Sequence, residues 1–361
     1  MSLTESTERV STAALLAAVD GPGVTARTLE YWRQQGLLPK AERTGQAGRR
    51  PEWTYLATAV EQLRELLRLR AQTRQPDVLR VALWFRGFEI DPEHVRESLV
   101  STLRRFHVQI LKEIERRRDP ALPNVEAQWA ALEQVARTLA RKRGAHAPPR
   151  FGRQRQEERD RAITVLLGLV LGFPEAAARL GDDGPLVERL MGLDRARRPQ
   201  GGVGSWLTGA PGEGLDGFVA FGSLPALIAA VEAADAGELL AARELARTAL
   251  VGIAAFSRMA DAFALTDNAN GLGAWRTIAS DPMAAVWLTA LVVSIRRNKS
   301  YSDNLRAIVD AVDQTVLPAD MQARSLADLT PEDLKRNLER LPFLQQAGLK
   351  RLLADYQNTA D

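Results

Sequence analysis

The chain has 361 residues, of which 45% are hydrophobic and 26% charged, as in ordinary globular proteins, and its length suggests two or three domains. It contains no cysteine and only three histidines, which excludes disulfides and thiolate chemistry and leaves little material for a histidine-ligated metal. The net charge of +3 conceals an asymmetry, because residues 1–160 carry 28 basic and 21 acidic side chains (+7) and residues 161–361 carry 20 and 24 (−4). This division favours a polyanion-binding first part, although ordinary surface variation also accounts for it.

Apolar residues recur at three- and four-residue spacing along most of the chain, so the sequence predicts a mainly α protein. Asp91, Asp281 and Thr330 each precede a proline, a pattern typical of helix starts. No apolar run reaches the ~20 residues that a membrane span requires, and no apolar signal segment occupies residues 1–9, so we expect a cytoplasmic protein with no membrane partner. Helices are predicted near residues 10–19, 25–35, 55–72, 77–88, 92–118, 124–143, 155–173, 184–192, 223–235, 238–265, 282–297, 302–317, 331–341 and 345–357, with one short hairpin at 39–55.

The first two helices form a predicted helix-turn-helix. The turn is Asp-Gly-Pro-Gly at residues 20–23, Thr25 is the expected N-cap of the second helix, and Gly36 is its expected left-handed C-cap. In this motif the second helix enters the major groove of DNA. Positions 27, 28 and 31 share one face of that helix, while positions 29 and 32 lie on another face that is available to a small core.

Residues 24–39, VTARTLEYWRQQGLLP, resemble the MerR family of bacterial transcription regulators, whose sequence has the form V-S-x-R-T-L-R-Y-Y-E-x-x-G-L-L-x-P. The resemblance covers about 80 residues and extends through a basic wing into the helices near 55–72 and 77–88. It implies a winged helix-turn-helix that binds double-stranded DNA as a homodimer. The candidate DNA-binding residues are Thr25, Arg27, Thr28 and Tyr31 on the second helix and Arg43, Arg49 and Arg50 in the wing.

The chain departs from the family pattern at two places. Glu30 occupies a position where the family usually has arginine, which suggests a different base preference, such as a contact to a cytosine amino group. The wing ends in GRRPEWTY instead of the compact G-Y-R-x-Y, so Arg49 and Arg50 are not assigned to particular contacts.

The helices near 92–118 and 124–143 carry apolar stripes with a spacing close to 3.5 residues. The stripes are Val95, Leu99, Leu103, Phe106, Ile110 and Ile114 in the first helix, and Val125, Trp129, Leu132, Ala136 and Leu139 in the second. Because MerR-like proteins dimerise through a helix that follows the DNA-binding domain, the resemblance favours pairing between protomers. An intramolecular helical hairpin is the alternative.

Four regions are therefore expected: a winged helix-turn-helix at 1–90, a helical dimerisation or connector region at 91–143, a basic linker at 144–156, and an all-helical effector or interaction domain at 157–361. A glycine-rich loop at 195–222 interrupts the last region.

No catalytic constellation, metal site or cofactor motif is apparent, so no enzyme activity is expected. The sequence indicates a DNA-binding transcriptional regulator whose C-terminal domain binds an unidentified small molecule or protein. Two alternatives are an architectural or excisionase-like DNA-bending factor and, more weakly, an enzyme in the helical domain.

Overall fold

The computed structural model describes residues 9–19, 24–44, 52–141, 153–190, 221–247 and 281–298, and it confirms a mainly α protein. Its three strands are β1 (Arg9–Ser11), β2 (Glu42–Thr44) and β3 (Glu52–Leu56). They form one antiparallel sheet with β3 in the centre. Val10 lies opposite Tyr55 in the pairing of β1 with β3, and Arg43 lies opposite Trp53 in the pairing of β2 with β3.

The helices of the first part are α1 (Thr12–Ala17), α2 (Ala26–Gln34), α3 (Thr58–Arg70), α4 (Pro76–Phe85), α5 (Pro92–Arg116) and α6 (Asn124–Arg141). Those of the later part are α7 (Arg153–Leu171), α8 (Pro174–Ala178), α9 (Leu180–Leu190), α10 (Leu224–Glu232), α11 (236–247) and α12 (Pro282–Arg297). None of the helices in the described ranges is both long and apolar enough to cross a membrane.

The predicted helix starts at Asp91 and Asp281 are confirmed. Each aspartate is an N-cap whose carboxylate accepts a hydrogen bond from the amide two residues later, and proline occupies the first helical position. This arrangement satisfies one of the amides that a helix start leaves without a backbone acceptor. The third predicted start, at Thr330, lies outside the described residues.

Helix α4 lies at the centre of the protein. Seven of its ten residues are buried: Val78, Leu79, Val81, Ala82, Leu83, Trp84 and Phe85. A surface helix buries only one stripe, whereas α4 packs against α3, α5 and α12 and is therefore covered on several sides. As a result, one continuous cluster of buried residues extends from Leu15 to Val293 and joins the early helices to the late ones.

The apolar stripe of α5 is buried within the chain itself. Val95, Leu99 and Leu103 have no exposed surface, and α5 packs against α4, α10 and α12. Further along the helix, Phe106 contacts Trp287 of α12 edge to face, with ring centroids 5.3 Å apart. This part of the stripe is therefore buried within the chain, against helices other than the expected hairpin partner at 124–143, and is not exposed for pairing between protomers.

The sequence prediction was wrong at the start of the first helix. Residues 9–11, predicted to begin a helix near 10–19, are a strand that pairs with β3, and Ser11 is the N-cap of α1. The residues of β3 that pair with this strand lie more than 40 positions later in the sequence, so local periodicity carries no signal for the pairing.

Helix α7 begins at Arg153, inside the expected linker 144–156. The predicted helices beyond residue 300, and residues 195–220 of the glycine-rich loop, lie outside the described residues.

Candidate nucleic-acid interface

Helix α2 is amphipathic and carries the predicted contact residues on its outer side. Leu29 and Trp32 are buried at 0% and 2% exposure, whereas Arg27 and Tyr31 are exposed, with half of the tyrosine surface accessible. Among the described residues, neither the Arg27 guanidinium nor the Tyr31 hydroxyl has a hydrogen-bond or ion-pair partner. No described residue therefore uses the hydrogen-bonding groups of these two exposed side chains.

The two threonines of the predicted site stabilise the start of α2. The Thr25 hydroxyl accepts a hydrogen bond from the Thr28 amide at 3.2 Å, and the two hydroxyl oxygens lie 3.0 Å apart. This confirms Thr25 as the N-cap. Each hydroxyl keeps further hydrogen-bonding capacity, so capping and contact with a phosphate oxygen are compatible.

The end of α2 is held by side chains from the helices behind it. Gly36 has a φ of 64°, as expected for the residue that stops the helix. The Arg80 guanidinium of α4 donates two hydrogen bonds to the Gln35 carbonyl, from Nε at 3.1 Å and from Nη2 at 2.7 Å. The side-chain amide of Gln62, which is 2% exposed on α3, donates to the Leu37 carbonyl at 3.0 Å. These bonds fix the direction in which α2 leaves the core.

Helix α3 also holds the two short helices that precede it. The Arg70 guanidinium lies over the Trp32 ring, 4.8 Å from its centroid, and Arg64 donates to the Ala18 carbonyl at the end of α1 at 3.1 Å. Both arginines thus act within the fold, and the positions of α1 and α2 relative to each other are set by α3.

The β2–β3 hairpin lies beside α2. Trp53 in β3 is 37% exposed, and the Arg33 guanidinium of α2 lies over its ring, 5.4 Å from the centroid. The two outer strands of the sheet are also connected, because Arg9 of β1 forms an ion pair with Glu42 of β2 at 2.6 Å. The hairpin is therefore joined to α2 through a cation–π contact and to β1 through an ion pair.

Glu30 is engaged within its own helix. Its carboxylate accepts hydrogen bonds from Arg33 Nε at 2.9 Å, from Arg33 Nη2 at 2.5 Å and from Gln34 Nε2 at 2.9 Å. The hydrogen bonds from Arg33 hold the pKa of Glu30 below its ordinary value, so the group is ionised at neutral pH. Because both carboxylate oxygens already accept strong hydrogen bonds, the arrangement argues against the predicted contact from Glu30 to a cytosine.

The structure brings four of the seven predicted contact residues together at α2: Thr25 is its N-cap, and Arg27, Thr28 and Tyr31 lie within it. Arg43 is a residue of β2, in the hairpin beside α2. Arg49 and Arg50 lie outside the described residues. Sequence reasoning missed Arg33 and Trp53, and the contact between them joins residues 20 positions apart, which local periodicity does not indicate.

Comparison with protein-family models, with curated proteins and with solved structures finds no match to this chain. Within the described ranges, no group of three or more histidine, aspartate or glutamate side chains is placed to hold a metal ion. A functional assignment therefore depends on the residues of α2 and of the adjoining hairpin.

Proposed function

We propose that residues 1–90 form a winged helix-turn-helix that binds double-stranded DNA, with α2 in the major groove and the β2–β3 hairpin as the wing. The observation that carries this proposal is the exposed outer side of α2, where Arg27 and Tyr31 have no partner among the described residues although the neighbouring side chains do. The order strand, two short helices, hairpin and two further helices supports it, as does the sequence resemblance.

Each residue of the proposed site has a role that follows from its chemistry. Arg27 is long enough to donate two hydrogen bonds to O6 and N7 of a guanine, the commonest specific contact in the major groove. Tyr31 contacts a base or phosphate from the same side of the helix. Thr25, Thr28 and Arg43 contact phosphates, which fixes the register of the protein on the duplex but carries no sequence information.

The full chain is proposed to act as a transcriptional regulator in the form of a homodimer. Two copies binding two half-sites would match an inverted repeat of about one helical turn between half-site centres. The helices after α5 are proposed to receive a small molecule or a partner protein. Helix α12 packs against α4, and α4 also holds the end of α2 through Arg80. This arrangement supports a link between binding of that molecule or protein and DNA binding.

Selection of binding sites from a random duplex library with the full chain tests the proposal. We expect an inverted repeat and a log affinity that falls with log salt by roughly 0.9 for each phosphate contacted. Arg27→Ala should lower affinity about 5- to 100-fold for the selected site and relax the preference at one position in each half-site. Arg43→Ala should weaken all sequences alike and reduce the salt slope by about one.

Arg116→Ala is the matched control, because Arg116 is also a helix arginine and its side chain is 72% exposed, but it lies at the far end of α5. It should leave both affinity and site preference unchanged. No binding to any duplex, or binding that is independent of salt, would refute the proposal. Loosely related sites with strong bending of the DNA would instead support the architectural factor.

A further inference from the structure

Trp53 differs from most large hydrophobic side chains of the described residues in being exposed. Six such residues among those described expose more than about a third of their surface, and only Tyr31 and Trp53 lie in the first 90 residues. These two belong to α2 and to the adjacent strand β3, so both exposed aromatic side chains of this region flank the proposed DNA-binding surface. A scattered exposed residue needs no explanation, but exposed aromatic side chains beside a proposed binding helix are candidates for a contact region.

The ring of Trp53 is held in place before any partner binds. One face is covered by the Arg33 guanidinium, which is itself fixed by two hydrogen bonds to the Glu30 carboxylate. The Trp53 carbonyl accepts a hydrogen bond from the Thr12 hydroxyl at 3.1 Å, and the residue is paired with Arg43 in the sheet. An aromatic side chain that is already ordered loses little conformational entropy on binding, so its apolar surface contributes efficiently to affinity.

The exposed part of the indole has the chemistry of a contact with the DNA backbone. Within the described residues its N–H has no hydrogen-bond partner, and a phosphate oxygen is a suitable acceptor. The remaining ring edge is apolar and matches the deoxyribose, the apolar part of the backbone. On the covered face of the ring, the Arg33 guanidinium lies 5.4 Å from the centroid.

From these contacts we infer that Trp53 is a further DNA-contacting residue, whose indole packs against deoxyribose at the edge of the groove that α2 enters. Glu30 and Arg33 are positioning residues for this contact. The inference rests on the proposed function, since it requires the duplex to lie across α2 and the wing.

The salt dependence of binding separates a direct contact from an effect on the fold. An indole that packs on a sugar releases no counterion, so Trp53→Ala should lower the affinity of the full chain for its selected duplex about 5- to 100-fold without changing the salt slope. If Trp53 merely positioned the wing, the same substitution would displace the wing arginines as well, and the slope would fall by about one or more. Trp53→Phe keeps a ring and should lie within a few-fold of the unmodified protein.

Hydroxyl-radical footprinting gives the second measurement, because this reagent attacks deoxyribose. Trp53→Ala should lose protection at one sugar step in each half-site and keep the rest of the footprint. Trp53→Val, which retains the preference for a strand, is measured beside it in case Trp53→Ala does not fold. Leu122→Ala is the matched control, since Leu122 is 39% exposed but lies between α5 and α6.

Unchanged affinity of the Trp53 variants, or a loss of affinity accompanied by a lower salt slope, would overturn the inference while the proposed function stands. Failure of the unmodified chain to bind any duplex would overturn the proposed function itself. The two failures are therefore distinguishable in one set of titrations.

Discussion

Replacing Arg80 with methionine should remove one of the attachments of α2 to the core while keeping the bulk of the side chain. The Arg80 side chain is 14% exposed, and its guanidinium donates to the Gln35 carbonyl and to the Ser98 hydroxyl and forms an ion pair with Asp77 at 3.3 Å. A hydrogen bond from a charged donor contributes about 1.5–3 kcal/mol. Asp77 keeps Arg105 as a partner at 2.8 Å. The two groups that lose a charged hydrogen-bond donor are therefore the Gln35 carbonyl and the Ser98 hydroxyl. The free energy of unfolding should therefore fall by about 3 kcal/mol.

Urea unfolding of the full chain, followed by far-ultraviolet circular dichroism, measures this change. With a denaturant dependence of about 3 kcal/mol per molar urea, the midpoint should fall by about 1 M. Arg105→Met is the control, because Arg105 contacts the same aspartate but its side chain is 50% exposed. Exposed ion pairs contribute about 1 kcal/mol or less, so its midpoint should move by less than about 0.3 M. Equal shifts for Arg80→Met and Arg105→Met would refute the reasoning that the buried attachment to α2 matters more than the charge.

Two further predictions concern the backbone and the pH dependence of stability. Gly36→Ala should lower the free energy of unfolding by about 1–2 kcal/mol, because Gly36 has a φ of 64°. Gly181→Ala should raise the free energy of unfolding by about 0.5–1 kcal/mol, because an added Cβ there meets nothing within 4 Å. Urea midpoints measure both changes. Burial lowers the pKa of His107, so the neutral form is favoured in the folded state and protonation favours unfolding. The urea midpoint should accordingly be highest above about pH 6.5 and fall as the pH drops through that value, and His107→Gln should remove this part of the decrease.

Local signals predicted the helix at the centre of the proposed site closely. The helix predicted at 25–35 is α2, Ala26–Gln34, with Thr25 as its N-cap and Gly36 in the left-handed conformation. These features depend on neighbouring residues: a hydroxyl that caps the third amide after it, and a glycine that adopts a positive φ without strain. A single sequence contains that information directly.

Contacts between distant segments could not be predicted in the same way. Nothing in the local pattern indicates that Arg80 bonds to the Gln35 carbonyl, 45 residues earlier, or that the α5 stripe is covered by α10 and α12. An apolar stripe with coiled-coil spacing can be buried by helices of the same chain or by a helix of another chain, because both arrangements remove the same apolar surface from water. The division into four regions, the homodimer and the effector remain predictions.

The burial of α4 determines how the chain can be divided. A fragment that ended near residue 90 would keep α3 but would lose α5 and α12, and would leave to water the surface that these two helices cover on α4. The same fragment would lose α11, whose Arg243 guanidinium lies 5.2 Å from the ring of the buried Trp84. An exposed apolar area of this kind promotes aggregation. The proposed DNA-binding part is thus not a portable module, and grafting it onto another protein would require α4 to be redesigned with a polar outer side.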